Sequence, residues 1–156
     1  MLFAVSIDQT VRLSLADGSV TKFSGHTGDH FCFGHAMALS DDENVLYIGH
    51  CTAQCVVAYD VATLQLMWKT GFETDVLSIA HHDGLLLSTL MDAPVVMLSA
   101  ADGSVVRMLG VIEDTAWGIS VLAGLGCVSA VASLLTPCRS AILESQVQRL
   151  AQHSSG

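Results

Sequence analysis

One unit recurs along this chain at a spacing of about 40 residues, and that period restricts the fold more than any other feature. The segments ALSDDENVLYIG at 38–49, SIAHHDGLLLST at 78–89 and SVLAGLGCVSAV at 120–131 each run from an apolar stretch through a polar or glycine turn into a second apolar stretch. A second set follows the same rule. TVRLSLADGSVTKF at 10–23, CVVAYDVATLQLMWK at 55–69 and PVVMLSAADGSVVRM at 94–108 align as strand, tight turn and strand. Their turns are Ala16-Asp17-Gly18, Ala62-Thr63-Leu64 and Ala101-Asp102-Gly103. Asp-Gly between two β-rich runs is a strong hairpin signal, because glycine, and to a lesser degree aspartate, tolerates the positive φ such turns demand.

The runs are short and rich in Val, Ile, Leu and Phe, and none before residue 135 has the length and 3.6-residue period of a helix. Leu85-Leu86-Leu87 and Val95-Val96-Met97-Leu98 are apolar at consecutive positions, as strands covered on both faces are. Four short strands in every 40 or so residues is the spacing of a β-propeller blade, so the expected fold is all-β: a partial β-propeller of four-stranded antiparallel blades. The strand count predicts the late part of one blade at 2–24, full blades at 31–71 and 75–110, and an opening at 116–131. A closed propeller needs about four to eight blades. The expectation is therefore a piece of a longer protein, or a chain that completes its ring with other copies through exposed blade edges.

FAVSIDQTVRLSLADGSVTKFSGHTG at 3–28 resembles the end of one WD40 repeat running into the next. Asp8 stands where that family keeps a structural aspartate, and Gly25-His26 where its Gly-His pair opens a repeat. The resemblance implies a structural hydrogen-bond network for such His and Asp residues. Of the Trp-Asp pair that names the family, only Asp60 keeps the acid; Asp102 and Gly103 mark the hairpin turn of the following repeat. VVAYDVATLQLMWKT is also similar to repeats of YVTN-type and quinoprotein propellers, and the resemblance spans roughly 1–131.

After Leu135 the repeat is lost. Thr136-Pro137 reads as an N-cap and first-turn proline, and Ile142, Leu143, Val147, Leu150 and Ala151 share a face, so 132–156 is expected to be a linker and a short helix over about 137–152. From Thr115 to Cys138 no residue is charged, long enough to span a bilayer, although Gly118, Gly124, Gly126 and three serines dilute its apolarity. A membrane partner is the weaker reading of this stretch. Of 156 residues only 13% are charged, with 15 acidic against 6 basic, so there is no basic face for nucleic acid and any charge steering favours basic partners. Five cysteines with no preceding secretory signal read as reduced thiols, pointing to the cytoplasm or nucleus.

The candidate chemistry is sparse. His50-Cys51 and Cys55 invite a metal reading, but no second ligand pair at zinc spacing follows. His81-His82-Asp83 could orient an imidazole for acid–base work, yet it aligns with Asp41-Asp42-Glu43, where a solvated turn accounts for polar residues. There is no nucleophile elbow, P-loop or dinucleotide fingerprint. No catalytic residue, metal or cofactor is therefore assigned. The expected function is a non-catalytic protein-interaction scaffold whose loops carry the contacts, with His30, Phe31, Phe33 and His35 in one loop and Trp117 in another. Two other readings stay open: a piece of a propeller enzyme of quinoprotein type, and a small protein anchored through 115–138.

Overall fold

The structure, a computed structural model, describes residues 2–5, 10–23, 34–111, 116–122 and 127–132. They form β-strands joined by turns. β1 (Leu2–Val5), β2 (Thr10–Leu13) and β3 (Val20–Phe23) make a three-stranded sheet. β4 (Gly34–Leu39), β5 (Val45–His50), β6 (Cys55–Asp60) and β7 (Leu66–Gly71) make a four-stranded one. β8 (Val76–His82), β9 (Leu85–Leu90), β10 (Pro94–Ser99) and β11 (Val105–Val111) repeat it, and β12 (Ala116–Leu122) pairs with β13 (Cys127–Ala132). Every pairing is antiparallel between consecutive strands, so each sheet is a meander. The helix expected over 137–152 lies outside the described residues. The apolar stretch 115–138 contributes the β12–β13 pair, and no helix among the described residues is long and apolar enough to cross a membrane.

The sheets stack face to face. β8 packs on β4 and β5, β12 on β8 and β9, and β1 on β4, so the first strands of successive four-stranded units lie side by side. That is the arrangement of blades around a common axis. The alternation of strand side chains assigns each face of the second sheet to a different neighbour. Leu46, Ile48, Cys55, Val57 and Tyr59 form one buried cluster, joined by Phe3 from the first sheet. Tyr47, Val56 and Ala58 belong to the other, with Val76, Ile79, Leu86, Val96 and Leu98 of the third sheet. The consecutive apolar residues of β5, β6, β9 and β10 thus reflect strands buried on both sides. A hydrogen bond from Arg12 Nη1 to the Val61 carbonyl, 2.9 Å, ties the first sheet to the second.

The close approach of the second and third sheets depends on small residues. A Cβ on Gly49 would lie 2.7 Å from Val76 Cγ1 and 3.2 Å from Ile79 Cγ2. Gly103 sits beneath the Trp68 ring, where a Cβ would come within 2.5 Å of both Trp68 Cε3 and Thr70 Oγ1. Its carbonyl accepts a 2.7 Å hydrogen bond from that same Thr70 hydroxyl. The hairpin turn between β10 and β11 is in this way sewn onto β7 of the preceding blade.

The three aligned hairpin turns have one backbone geometry. Gly18, Leu64 and Gly103 all have positive φ (71°, 60° and 72°), and their amides donate to the carbonyls of Ser14, Asp60 and Ser99. Asp17 and Asp102 each accept from the amide and hydroxyl of the serine two residues on. The turns differ in surroundings: a Cβ on Gly18 would meet nothing within 4 Å. Gly18→Ala should therefore cost only the left-handed backbone penalty, about 1–2 kcal/mol. Gly103→Ala adds overpacking against Trp68 and should lose about 1–3 kcal/mol more. Urea unfolding of the two variants checks this, and equal losses would contradict the packing role given to Gly103.

Candidate functional site

A groove of about 320 Å³ lies between the second and third sheets. Its floor is Tyr47, from the middle of β5. The His81 ring at the end of β8 stacks on it, with ring centroids 5.4 Å apart and planes 12° from parallel. On its acidic lip stand Ser40, Asp41 and Asp42, in the turn between β4 and β5. Gly84, Ala100 and Ala101, from two turns of the third sheet, close the opposite side. Val45 and Met67 complete the lining, and the position of Met67 follows from a bulge in β7: Ala58 pairs with Trp68 and Tyr59 with Leu66, leaving Met67 as the extra residue. It is half exposed.

The polar groups here are held unequally. The Ala100 carbonyl accepts from Trp68 Nε1 at 3.2 Å and from the Tyr47 hydroxyl at 3.4 Å. Burial raises the Tyr47 phenol above its usual pKa, with the charges of Asp42 and Asp41 adding to it. Asp42 is saturated by its own turn: its oxygens accept from the Ser40 hydroxyl at 2.6 Å and from the Asn44 amide and side chain. The Ser40 hydroxyl, then Asn44, hold its carboxyl at about 2. Asp41 is different. Its side chain is 71% exposed, and Oδ1 lies 3.4 Å from Nδ1 of His81, which is only 5% exposed and makes no hydrogen bond there.

Sequence reasoning placed His81 in a solvated turn, and the structure corrects that. His81 and His82 are the last residues of β8, and only Asp83-Gly84 form the turn. This turn is shorter than the one at 40–44, so the strand runs further and buries His81. Asp41 and His81 hold the same place in successive repeats, and blade stacking sets such places side by side. That equivalence was the available signal.

Asp60, at the end of β6, accepts from the Thr63 amide at 2.7 Å and hydroxyl at 2.8 Å, which lowers its pKa. Asp102 is lowered in the same way, by Ser104. Both are turn-forming carboxylates facing solvent. His35 and Trp117, expected in loops, lie within β4 and β12, each the second residue of its strand. Each is the unpaired second residue at a register shift, as Leu77 is in β8. Asp8, Gly25, His26, His30, Phe31 and Phe33 lie outside the described residues. Cys55 opens β6, and Cys51, in the preceding turn, donates to Asp75 Oδ2 at 3.2 Å. Burial first, and then that carboxylate, push the Cys51 thiol up to about 11. Both are buried and outside any disulfide, and among the described residues no three His, Cys, Asp or Glu side chains are grouped to hold a metal ion.

No family model and no curated protein matches the chain in sequence. Its fold matches many solved structures. Among them are the RRP9 WD40 repeats, at TM-score 0.71 and 20% identity over 83% of this chain and 41% of that one. A chain of the mitotic checkpoint complex aligns at TM-score 0.70 and 13% identity, covering 80% of this chain and 39% of that one. Hydrazine synthase from Kuenenia stuttgartiensis aligns at TM-score 0.71 and 11% identity, over 81% and 36%. The chain shares the β-propeller fold with these structures. It spans about two-fifths of the length of these propeller chains.

The hydrogen bonds at Asp42 set a sign for acid behaviour. With the folded pKa near 2 and the ordinary value at 3.8, the stabilisation is complete above pH 4 and is lost as pH falls towards 2. Carboxyl-carbon NMR of Asp42, titrated downward from pH 6, should show no midpoint near 3.8. Ser40→Ala should move the midpoint up towards that value.

Proposed function

We propose that this chain is a non-catalytic interaction module, part of a larger propeller or of an assembly that completes one, and that its partners are proteins. The observation that carries the reading is the groove itself: turns of two successive blades converge on one recess, held by a core that buries both faces of the sheets. Rigid strands that present recessed turns are what a binding platform requires. The likeness to WD40 structures supports the scaffold, whereas a propeller can equally carry an enzyme, as the hydrazine synthase match illustrates. The net charge of −9 favours basic partners, and the buried thiols outside any disulfide fit a reducing compartment, cytoplasm or nucleus.

Self-association belongs to the same proposal. Among the described residues the first sheet has three strands and the last two, against four in each sheet between them, so both end sheets have room for a further strand at an edge. Such edges present a row of unpaired backbone donors and acceptors to a further strand. Sedimentation velocity of the purified chain should give species heavier than 16.4 kDa whose proportion grows with concentration. A folded monomer at all concentrations would sink the self-association claim, and turnover of a substrate by the chain would sink the non-catalytic one.

A further inference from the structure

We infer that the β2–β3 hairpin of the first sheet docks onto the third sheet of a second copy of this chain, and that two copies joined this way at both ends close one ring. This rests on the self-association proposed above and names its surface. Within the chain, the first two sheets each place a donor on the same backbone position of the sheet that follows. Arg12 Nη1 donates to the Val61 carbonyl at 2.9 Å, and Trp68 Nε1 to the Ala100 carbonyl at 3.2 Å. Val61 and Ala100 are equivalent, each three residues before the positive-φ residue of its hairpin turn, Leu64 or Gly103. Leu15, before Gly18, is the third member of the set. Val61 is half-buried and Ala100 is 7% exposed, whereas Leu15 is 70% exposed. The space at Gly103 is filled by Trp68 and Thr70, but a Cβ on Gly18 would meet nothing within 4 Å. The first sheet therefore carries the receiving face of an inter-blade contact, uncovered among the described residues.

The complementary face lies at the other end of the arc. β12 packs on β8 and β9, so the fourth sheet covers the inner half of the third. The outer half is open. Val105, Val106, Arg107 and Met108 of β11 are all exposed, while Trp68 and Thr70 in the equivalent strand β7 are half-buried against the turn at Gly103. Arg107 is the counterpart of Trp68: each stands four residues beyond its positive-φ turn residue, and Met97 pairs with Arg107 as Ala58 pairs with Trp68. Its guanidinium is a ready donor for the Leu15 carbonyl, as that of Arg12 is for Val61. The strand places also match. β12 and β13 hold the first and second places of their unit, while β2 and β3 hold the third and fourth of theirs. β1 and β13 hold the same place, so one of them is released when the composite sheet forms. Two copies joined head to tail carry four complete sheets and two composite ones, and six blades lie within the range of about four to eight. A ring of one copy would have about three blades and a ring of three copies about nine, both outside that range.

Sedimentation velocity and light scattering of the full chain should show a limiting mass of twice 16.4 kDa. Leu15→Arg and Arg107→Glu alter exposed side chains and should leave the far-UV circular dichroism unchanged. L15R sets a second cation against Arg107 and R107E removes the donor, so each should weaken dimerisation about tenfold or more. An equimolar mixture of the two variants should recover the dimer, because one contact in it is native and the other pairs the new cation with the new carboxylate. In the wild type, amide NMR shifts on dilution should centre on Leu15, Gly18 and Arg107, and a centre elsewhere overturns the surface without recourse to any variant. A folded monomer at all concentrations overturns this inference and the self-association claim together. Association that neither folded variant weakens, or that the mixture does not restore, overturns the docking surface and leaves self-association through other edges standing. Mass that keeps rising past the dimer overturns ring closure.

Discussion

The contact between adjacent sheets is the constraint on which everything else here depends. The strands of the second sheet send alternate side chains to opposite neighbours, so Leu46 and Ile48 pack towards the first sheet while Tyr47 packs towards the third. Each fully buried aliphatic side chain contributes about 1.5–3 kcal/mol, and a sheet with only one covered face would forfeit half of that. The close spacing is set at a few points where a side chain is missing, above all Gly49 under Val76 and Gly103 under Trp68.

The groove is a by-product of that packing. Sheets that diverge from a common axis touch closely near their inner strands and part at the turns. Between the second and third sheets the gap is floored by Tyr47 and His81, stacked ring on ring. The Trp68 indole and the Tyr47 hydroxyl both hold the Ala100 carbonyl, which fixes the facing turn. The recess therefore inherits its rigidity from the core beneath it. Its charge comes from elsewhere, from the turn between β4 and β5. There Asp42 is consumed by local hydrogen bonds and Asp41 is left facing an imidazole.

Much of the fold was legible because the hairpin turns are local. Asp17-Gly18 and Asp102-Gly103 need only their own residues to set a positive φ and an aspartate-to-serine clasp. Leu64 adopts the same conformation without a glycine, held by the flanking ladder, so the period rather than the residue type marked that turn. The site was less legible. His81 was read as a solvated turn residue because the two aligned segments were assumed to turn at the same place. The shorter turn at Asp83-Gly84 lets β8 run on and carries His81 into the interface. His35 and Trp117 were assigned to loops for a related reason: strand starts at a register shift leave no mark in an apolar pattern.

What the amino-acid sequence determined by itself is the repeat: strand lengths, hairpin turns, two-faced apolar runs and an acidic surface with no phosphate-binding face. These are properties of neighbouring residues and need no knowledge of what lies across a sheet. Only the tertiary structure decided that Asp41 and His81, one repeat apart, meet at 3.4 Å. It also decided that the bulge at Met67 completes the recess, and that Gly103 is required for close packing where Gly18 is not. The physical reason is that these depend on the distance and angle between blades. Those are fixed by packing between sheets, which the order of residues along one strand does not encode.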